Sequence, residues 1–155
     1  MNEAEYAEFA RVSAPRYARD QVEAGVWAPD KALQLATEDF ERLLPQGQGT
    51  PDHFFFVLRD GSSGSPVGIL WFARKERAGK KVAYVYSIFI REESRRMGHA
   101  TQALKALETE AHSMGLAGTE LHVFGWNTKA RALYRKMGFH ETNLTLFKPL
   151  GQPSS

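Results

Sequence analysis

Apolar and polar positions divide this chain into a helical first third and a remainder of short apolar runs broken by turn residues. Between residues 3 and 24, Tyr6, Phe9, Ala10, Tyr17 and Val22 recur among charged residues, a helical pattern. Pro15 interrupts it, and Ser13 is suited to cap a restarted turn, so a kink or two short helices is expected, with Gly25 as the stop. Pro29-Asp30 opens a second helix in which Ala32, Leu33, Leu35, Ala36, Phe40, Leu43 and Leu44 keep a 3–4 spacing up to Pro45. Residues 54–58 form an apolar run typical of a buried strand, 60–64 a hairpin loop, and 67–72 a returning strand. A turn over 74–81 leads into a third strand over 82–90. A helix over 101–114, a strand over 120–124, a helix over 127–137 and a last strand over 139–148 follow. Helices, three antiparallel strands, helix, strand, helix, strand: the order implies an α/β fold with a mixed sheet and one crossover.

Composition narrows this picture. The 155 residues suit a single domain over 1–150, with 151–155 a disordered tail. Hydrophobic residues make up 43% and charged residues 25%, the balance of a soluble globular protein. The absence of cysteine excludes disulfides, thiolate metal sites and acyl-cysteine intermediates. A net charge of +2 gives no argument for nucleic acid, and the basic residues of 74–81 fit a solvated hairpin. Glu3, Glu5 and Glu8 are foreign to a targeting peptide, and the apolar run 67–73 is far short of the roughly 20 residues of a membrane span. A cytoplasmic protein without membrane, nucleic-acid or metal partners is the expectation.

The candidate chemistry lies at two places. Arg95-Arg96-Met97-Gly98-His99-Ala100-Thr101 joins the third strand to the next helix, and small residues at Gly98 and Ala100 let a ligand approach the backbone. A basic turn running into a helix N-terminus presents N–H groups and a positive dipole end to an anion. Downstream, Asn127-Thr128-Lys129-Ala130-Arg131-Ala132-Leu133-Tyr134-Arg135-Lys136-Met137-Gly138-Phe139 carries the pattern Asn-x-x-Ala-x-x-Leu-Tyr-x-x-x-Gly-Phe. With Arg-x-x-Gly-x-Ala about thirty residues before it, the pair resembles the GNAT superfamily of acetyl-coenzyme-A-dependent N-acetyltransferases, over roughly 54–148.

The resemblance implies a mostly antiparallel mixed sheet flanked by helices and splayed between the fourth and fifth family strands. The family usually opens with a strand; this sequence opens in helix, so that strand is either missing or the start is shortened. The resemblance further implies acetyl-coenzyme A as co-substrate and no metal. The backbone of Arg96, Met97, Gly98, His99, Ala100 and Thr101 would cradle the pyrophosphate, with charge from Arg95 and Arg96. Ile88 and Ile90 would pair with the pantetheine arm, joined by Asn127 and Ala130, and Tyr134 would be the general acid beside the thioester. The acceptor would be a small-molecule or peptide amine. The third strand carries no acid to deprotonate it, leaving Glu120, His122, Asp20, Glu23 or ordered water as candidates. The acids between Asp20 and Glu41 would favour a cationic acceptor if they rim its groove. His99 is expected to be exposed, with only its backbone used, and Trp27, Trp71 and Trp126 to be core or rim aromatics. The last strand could pair across a homodimer. The alternative to a transferase is a coenzyme-binding sensor without activity.

Overall fold

The computed structural model describes residues 1–153; the last two residues of the expected tail lie outside them. Helix α1 spans Glu3–Glu23 without interruption. The expected break at Pro15 is not found: Phe9, Ser13 and Ala18 are buried on either side of it, and this packing offsets the one hydrogen bond that proline removes. Ser13 caps nothing. The cap is Asn2, whose side chain accepts from the Glu5 amide while the Glu5 carboxylate accepts from the Asn2 amide, both at 2.8 Å. Helix α2, Ala32–Leu43, begins two residues after Asp30. It meets α1 through Ala18, Ala32 and Ala36, small residues that let the two backbones approach, and this turns Leu33 outward.

Four strands follow: β1 (His53–Arg59), β2 (Pro66–Arg77), β3 (Lys80–Ile90) and β4 (Thr119–Leu121), ordered β1-β2-β3-β4. The first two pairings are antiparallel and β3–β4 is parallel, with helix α3 (His99–Ser113) as the crossover and helix α4 (Thr128–Lys136) after β4. The expected turn over 74–81 is only Ala78–Gly79, both left-handed, because its basic residues are built into the strands. Arg74 pairs with Asp52, and Arg77 with Glu120 across the sheet.

Each face of the sheet has its own core. Leu70, Phe72, Ala83 and Val85 pack on Leu107 and Ala111 of α3. On the other face Phe55 and Trp71 pack on Phe9 of α1 and Leu44 after α2. The last strand expected over 139–148 does not form. Residues 139–153 belong to no helix or strand, and among the described residues no backbone hydrogen bond involves 140–153. Glu141 touches α4 here: its carboxylate accepts from Arg131 at 3.0 Å and Arg135 at 3.4 Å.

Candidate functional site

The site begins where β4 stops. Its ladder with β3 holds Ala83, Tyr84 and Val85 against Thr119, Glu120 and Leu121 and then ends, while β3 continues along β2 to Ile90. From Tyr86 to Ile90, β3 therefore has a bare edge. Which groups face it follows from the other edge: the Phe89 carbonyl lies against Gly68 of β2, and the Arg91 amide donates to the Val67 carbonyl. Backbone groups alternate sides along a strand, so those of Ile88 and Ile90 point into the opening. The Ile90 carbonyl is already taken there, accepting from Arg95 Nε at 3.1 Å.

A bulge shapes this edge. Trp71 pairs with Ser87 but Phe72 pairs with Val85, so Tyr86 is an extra residue. Simple alternation would put Tyr84, Tyr86, Ile88 and Ile90 on one face. The extra residue instead sends Ile88 into the core beneath α3 while Tyr86 stacks on Trp71 on the opposite face, ring centroids 4.5 Å apart.

Beyond β3, a 3-10 turn (Glu92–Ser94) leads to residues 95–98 and then to α3. Arg96 and Gly98 are both left-handed, φ +62° and +82°. That conformation is strained for Arg96, and strain of this kind is concentrated at ligand clamps. No side chain caps α3. Its first bond is donated by Gln102 to the Gly98 carbonyl, and among the described residues the amides of 96–101 donate to no protein acceptor. Six successive free N–H groups converge at the positive end of a fifteen-residue helix, next to the bare edge of β3. The His99 side chain, expected to be exposed, is only 10% accessible and faces the Asp60 carboxylate at 3.8 Å. Hydrogen bonds from Ser63 and Ser62, with a smaller contribution from His99, hold that carboxyl below its ordinary pKa.

After β4, the Asn127 side chain accepts from the Ala130 amide at 3.2 Å and so starts α4. Ala130, Leu133, Tyr134 and Met137 recur at three- and four-residue spacing and are all only half-buried. The Tyr134 ring stands edge-on to Phe139 at 5.6 Å. Its hydroxyl makes no hydrogen bond among the described residues, and burial raises its pKa, so the phenol is protonated at neutral pH.

Comparison with known proteins places this open mixed sheet flanked by helices. The sequence profile of the acetyltransferase (GNAT) family matches residues 20–139. The chain belongs to that family. It is 36% identical over 150 residues to the uncharacterised N-acetyltransferase YycN of Bacillus subtilis, covering 97% of this chain and 96% of that one. A second B. subtilis protein, the uncharacterised N-acetyltransferase YdgE, is 31% identical over 150 residues, covering 97% and 95%. The crystal structure of YycN superposes with a TM-score of 0.92 over 98% of this chain and 96% of that one. The family generally uses acetyl-coenzyme A, and the free amides and bare strand edge suit its diphosphate and amide-bearing arm. Among the described residues of this acetyltransferase, no helix is long and apolar enough to cross a membrane, and no cluster of His, Asp and Glu is arranged to hold a metal.

Sequence reasoning missed a cluster on the α1 side of β3. Tyr84 and Tyr86 stand at 4.9 Å on the α1 side of β3, with the Lys75 ammonium 4.5 Å above the Tyr84 ring and 5.2 Å above that of Tyr86. Trp27 packs on Tyr17 at 5.3 Å, Trp71 is core, and Trp126 is exposed. Near the end of β3, the Arg16 guanidinium lies 3.5 Å over the Phe89 ring, and its buried Nη1 has no hydrogen-bond partner among the described residues. The alternating tyrosines were visible in sequence, but the contribution of α1 depends on how the helix crosses the sheet.

The candidate bases separate. Glu120 is held by Arg77, and His122 and Glu23 are exposed. Asp20 is half-buried one turn beyond Arg16, and burial raises its carboxyl pKa against the lowering effect of Arg16 and Arg19.

His53 supplies a pH-dependent element of the same face of the sheet. Trp71 Nε1–H donates to His53 Nδ1 at 3.0 Å, which requires that nitrogen to be unprotonated. Burial, then Lys75, holds the imidazole below its ordinary pKa, so the folded state binds this proton less readily than the unfolded chain. The contribution is complete above about pH 6.5 and is lost as pH falls through the folded value. The urea midpoint is expected to drop between pH 7.5 and pH 5.5 by more in the parent than in His53→Gln; equal drops would remove His53 from this role.

Proposed function

We propose that this acetyltransferase moves the acetyl group of acetyl-coenzyme A directly to a primary amine, on a small molecule or a peptide, within a ternary complex. The observation that carries this reading is the row of free amides at 96–101 beside the bare edge of β3. So many donors call for a polyanion with several oxygens, and the coenzyme's diphosphate is one. The amides of Arg96, Met97, Gly98, His99, Ala100 and Thr101 hold it, and Arg95 and Arg96 add positive charge. Ile88 offers both backbone groups, and Ile90 its N–H, to the pantetheine arm in the manner of an added strand. Asn127 and Ala130 start the opposing helix, and Tyr134 projects from its next turn.

Bound acetyl-coenzyme A supplies an activated thioester. An alkylammonium has a pKa of about 10.4, so the acceptor must lose a proton before its nitrogen attacks. Asp20 is the group we assign to take it, because it stands one turn beyond Arg16, whose guanidinium lies over Phe89 near the end of β3, and burial raises its carboxyl pKa. As the N–C bond forms and the C–S bond breaks, the Tyr134 hydroxyl passes its proton to the departing sulfur, whose basicity resembles a cysteine near about 8.5.

Asp20→Asn is expected to lower kcat/KM roughly 100-fold at pH 7, a loss that shrinks as pH approaches the amine's own pKa. A constant ratio across pH would exclude the base role. The reading as a whole is tested by titrating acetyl-coenzyme A calorimetrically and then following free-thiol release with a panel of amines. Binding without thiol release on any amine would favour the sensor alternative; no binding would exclude both. Gly98→Ala is expected to weaken coenzyme binding about tenfold. A side chain at φ +82° is strained by roughly 1–2 kcal/mol, which the free turn sheds by relaxing and must regain on binding. Unaltered affinity would take the diphosphate away from this turn.

A further inference from the structure

Arg16 carries a charge that the rest of the protein does not match. Its guanidinium lies 3.5 Å over the Phe89 ring, and that of Arg95 lies 5.7 Å from the same ring. Its Nη1 is buried and has no hydrogen-bond partner among the described residues. Asp20, one turn further along α1, attracts the charge without hydrogen-bonding to it, while Arg19 and Arg95 repel it. Burial, the largest effect, holds the guanidinium below its ordinary pKa. A cation taken partly out of water among like charges is costly when it lacks a partner. An anion supplied from outside the chain would satisfy it.

The position of this charge narrows the source of the anion. Phe89 pairs with Ile69, and Ile69 packs in the core on the α1 side, so the Phe89 ring and Arg16 share that face. Helix α3 packs on the opposite face, over Leu70, Phe72 and Val85, and the free amides at its start approach the sheet from there. A diphosphate on those amides therefore leaves Arg16 to a different group. The acids of α2 do little to draw a purely cationic acceptor. Glu38 accepts from Gln34 at 2.9 Å, and Asp39 is paired with Arg42.

We propose that the acceptor bears a carboxylate a few bonds from its amine, in the manner of an amino acid, and that Arg16 holds this carboxylate on the α1 side of β3. The inference rests on the transfer proposed above, with Asp20 as the base. Residues four apart are neighbours on a helix surface, so one compact molecule can offer its carboxylate to Arg16 and its ammonium to Asp20. Lying on Phe89 fixes the plane of the guanidinium, and the half-buried side chain keeps an edge open. A carboxylate matches such an edge with two parallel hydrogen bonds. Arg16 orients the acceptor and keeps its own proton; it takes no part in bond making or breaking.

The test sets the common α-amino acids and β-alanine, each against its own carboxamide, in a thiol-release assay with acetyl-coenzyme A. The carboxylate member of at least one pair is expected to be favoured by about 10- to 100-fold in kcat/KM, the worth of one hydrogen bond to a charged group. Arg16→Gln is expected to erase that preference. Arg16→Lys is expected to restore part of it, because lysine keeps the charge without the fork. Comparing the two members of a pair within one protein cancels any change that the substitution makes at Asp20. Equal rates for both members in the parent, or a preference that survives Arg16→Gln, would overturn the proposal and leave acetyl transfer standing. So would weaker acetyl-coenzyme A binding by Arg16→Gln with the preference intact, which would give the guanidinium to the coenzyme's phosphates. Should no amine release thiol, the transfer itself fails, and calorimetry of the same amino acids decides. Binding that is lost in Arg16→Gln would uphold the carboxylate site, and no binding to the parent would overturn it.

Discussion

Replacing Tyr134 by Phe should leave acetyl-coenzyme A binding within about twofold of the parent while turnover falls by about 10²- to 10⁴-fold, the range of a lost general acid. The asymmetry follows from what the side chain touches. Its ring packs on Phe139, a contact phenylalanine keeps, and among the described residues its hydroxyl has no protein partner whose loss would disturb α4. What disappears is the proton. Because burial raises the phenol's pKa, that proton is held through the physiological range, and the parent's turnover should fall only above about pH 10. The residual activity of the variant should lack this alkaline fall. Steady-state rates with the best amine, measured from pH 6 to 11 alongside calorimetry, decide the matter. An unchanged kcat would remove Tyr134 from the acid role, and a parallel loss of coenzyme affinity would make it a binding residue.

Gly68→Ala should produce the largest loss of stability from a single methyl group in this protein. A Cβ on Gly68 would overlap the Phe89 carbonyl oxygen and come within 3.1 Å of Ile90 Cδ1. The obstruction is backbone, at the Gly68–Ile90 end of the β2–β3 ladder, so no rotamer relieves it. Forcing it apart costs about 3 kcal/mol, the upper end of overpacking penalties. The same displacement would shift Phe89 and therefore the groups of Ile88 and Ile90, so coenzyme affinity should fall with stability. Urea denaturation reads the first effect and calorimetry the second. Gly118→Ala is the control, since a Cβ there has nothing within 4 Å. Equal midpoints for the two variants would show that the sheet yields where it is drawn as rigid.

What sequence reveals about this molecule is its local chemistry. The turn 95–101 and the helix opened by Asn127 are contiguous in the chain, and their glycine, alanine and cap residues act within a few positions of one another. The strands and helices emerged in the right order for the same reason, apart from the last strand. Distant partners decided the rest. Pro15 sits in an unbroken helix because packing on both sides outweighs one missing bond. Glu120 is held by an arginine forty-three positions earlier, and His99 is covered by a loop preceding β2. The bulge at Tyr86 has no signature in Ala83-Tyr84-Val85-Tyr86-Ser87, since only the pairing with β2 creates it. Residues 139–148 carry a strand's pattern without a strand's neighbour, and pattern alone cannot supply one.

That one inserted residue in β3 has an evolutionary corollary. It hands the strand's opposite surfaces to separate duties, with aromatic side chains looking one way and the isoleucines the other. Substitutions in the aromatic set can then reshape that face while leaving the isoleucine face undisturbed. A lineage built on such a strand can vary one surface quickly and hold the other constant.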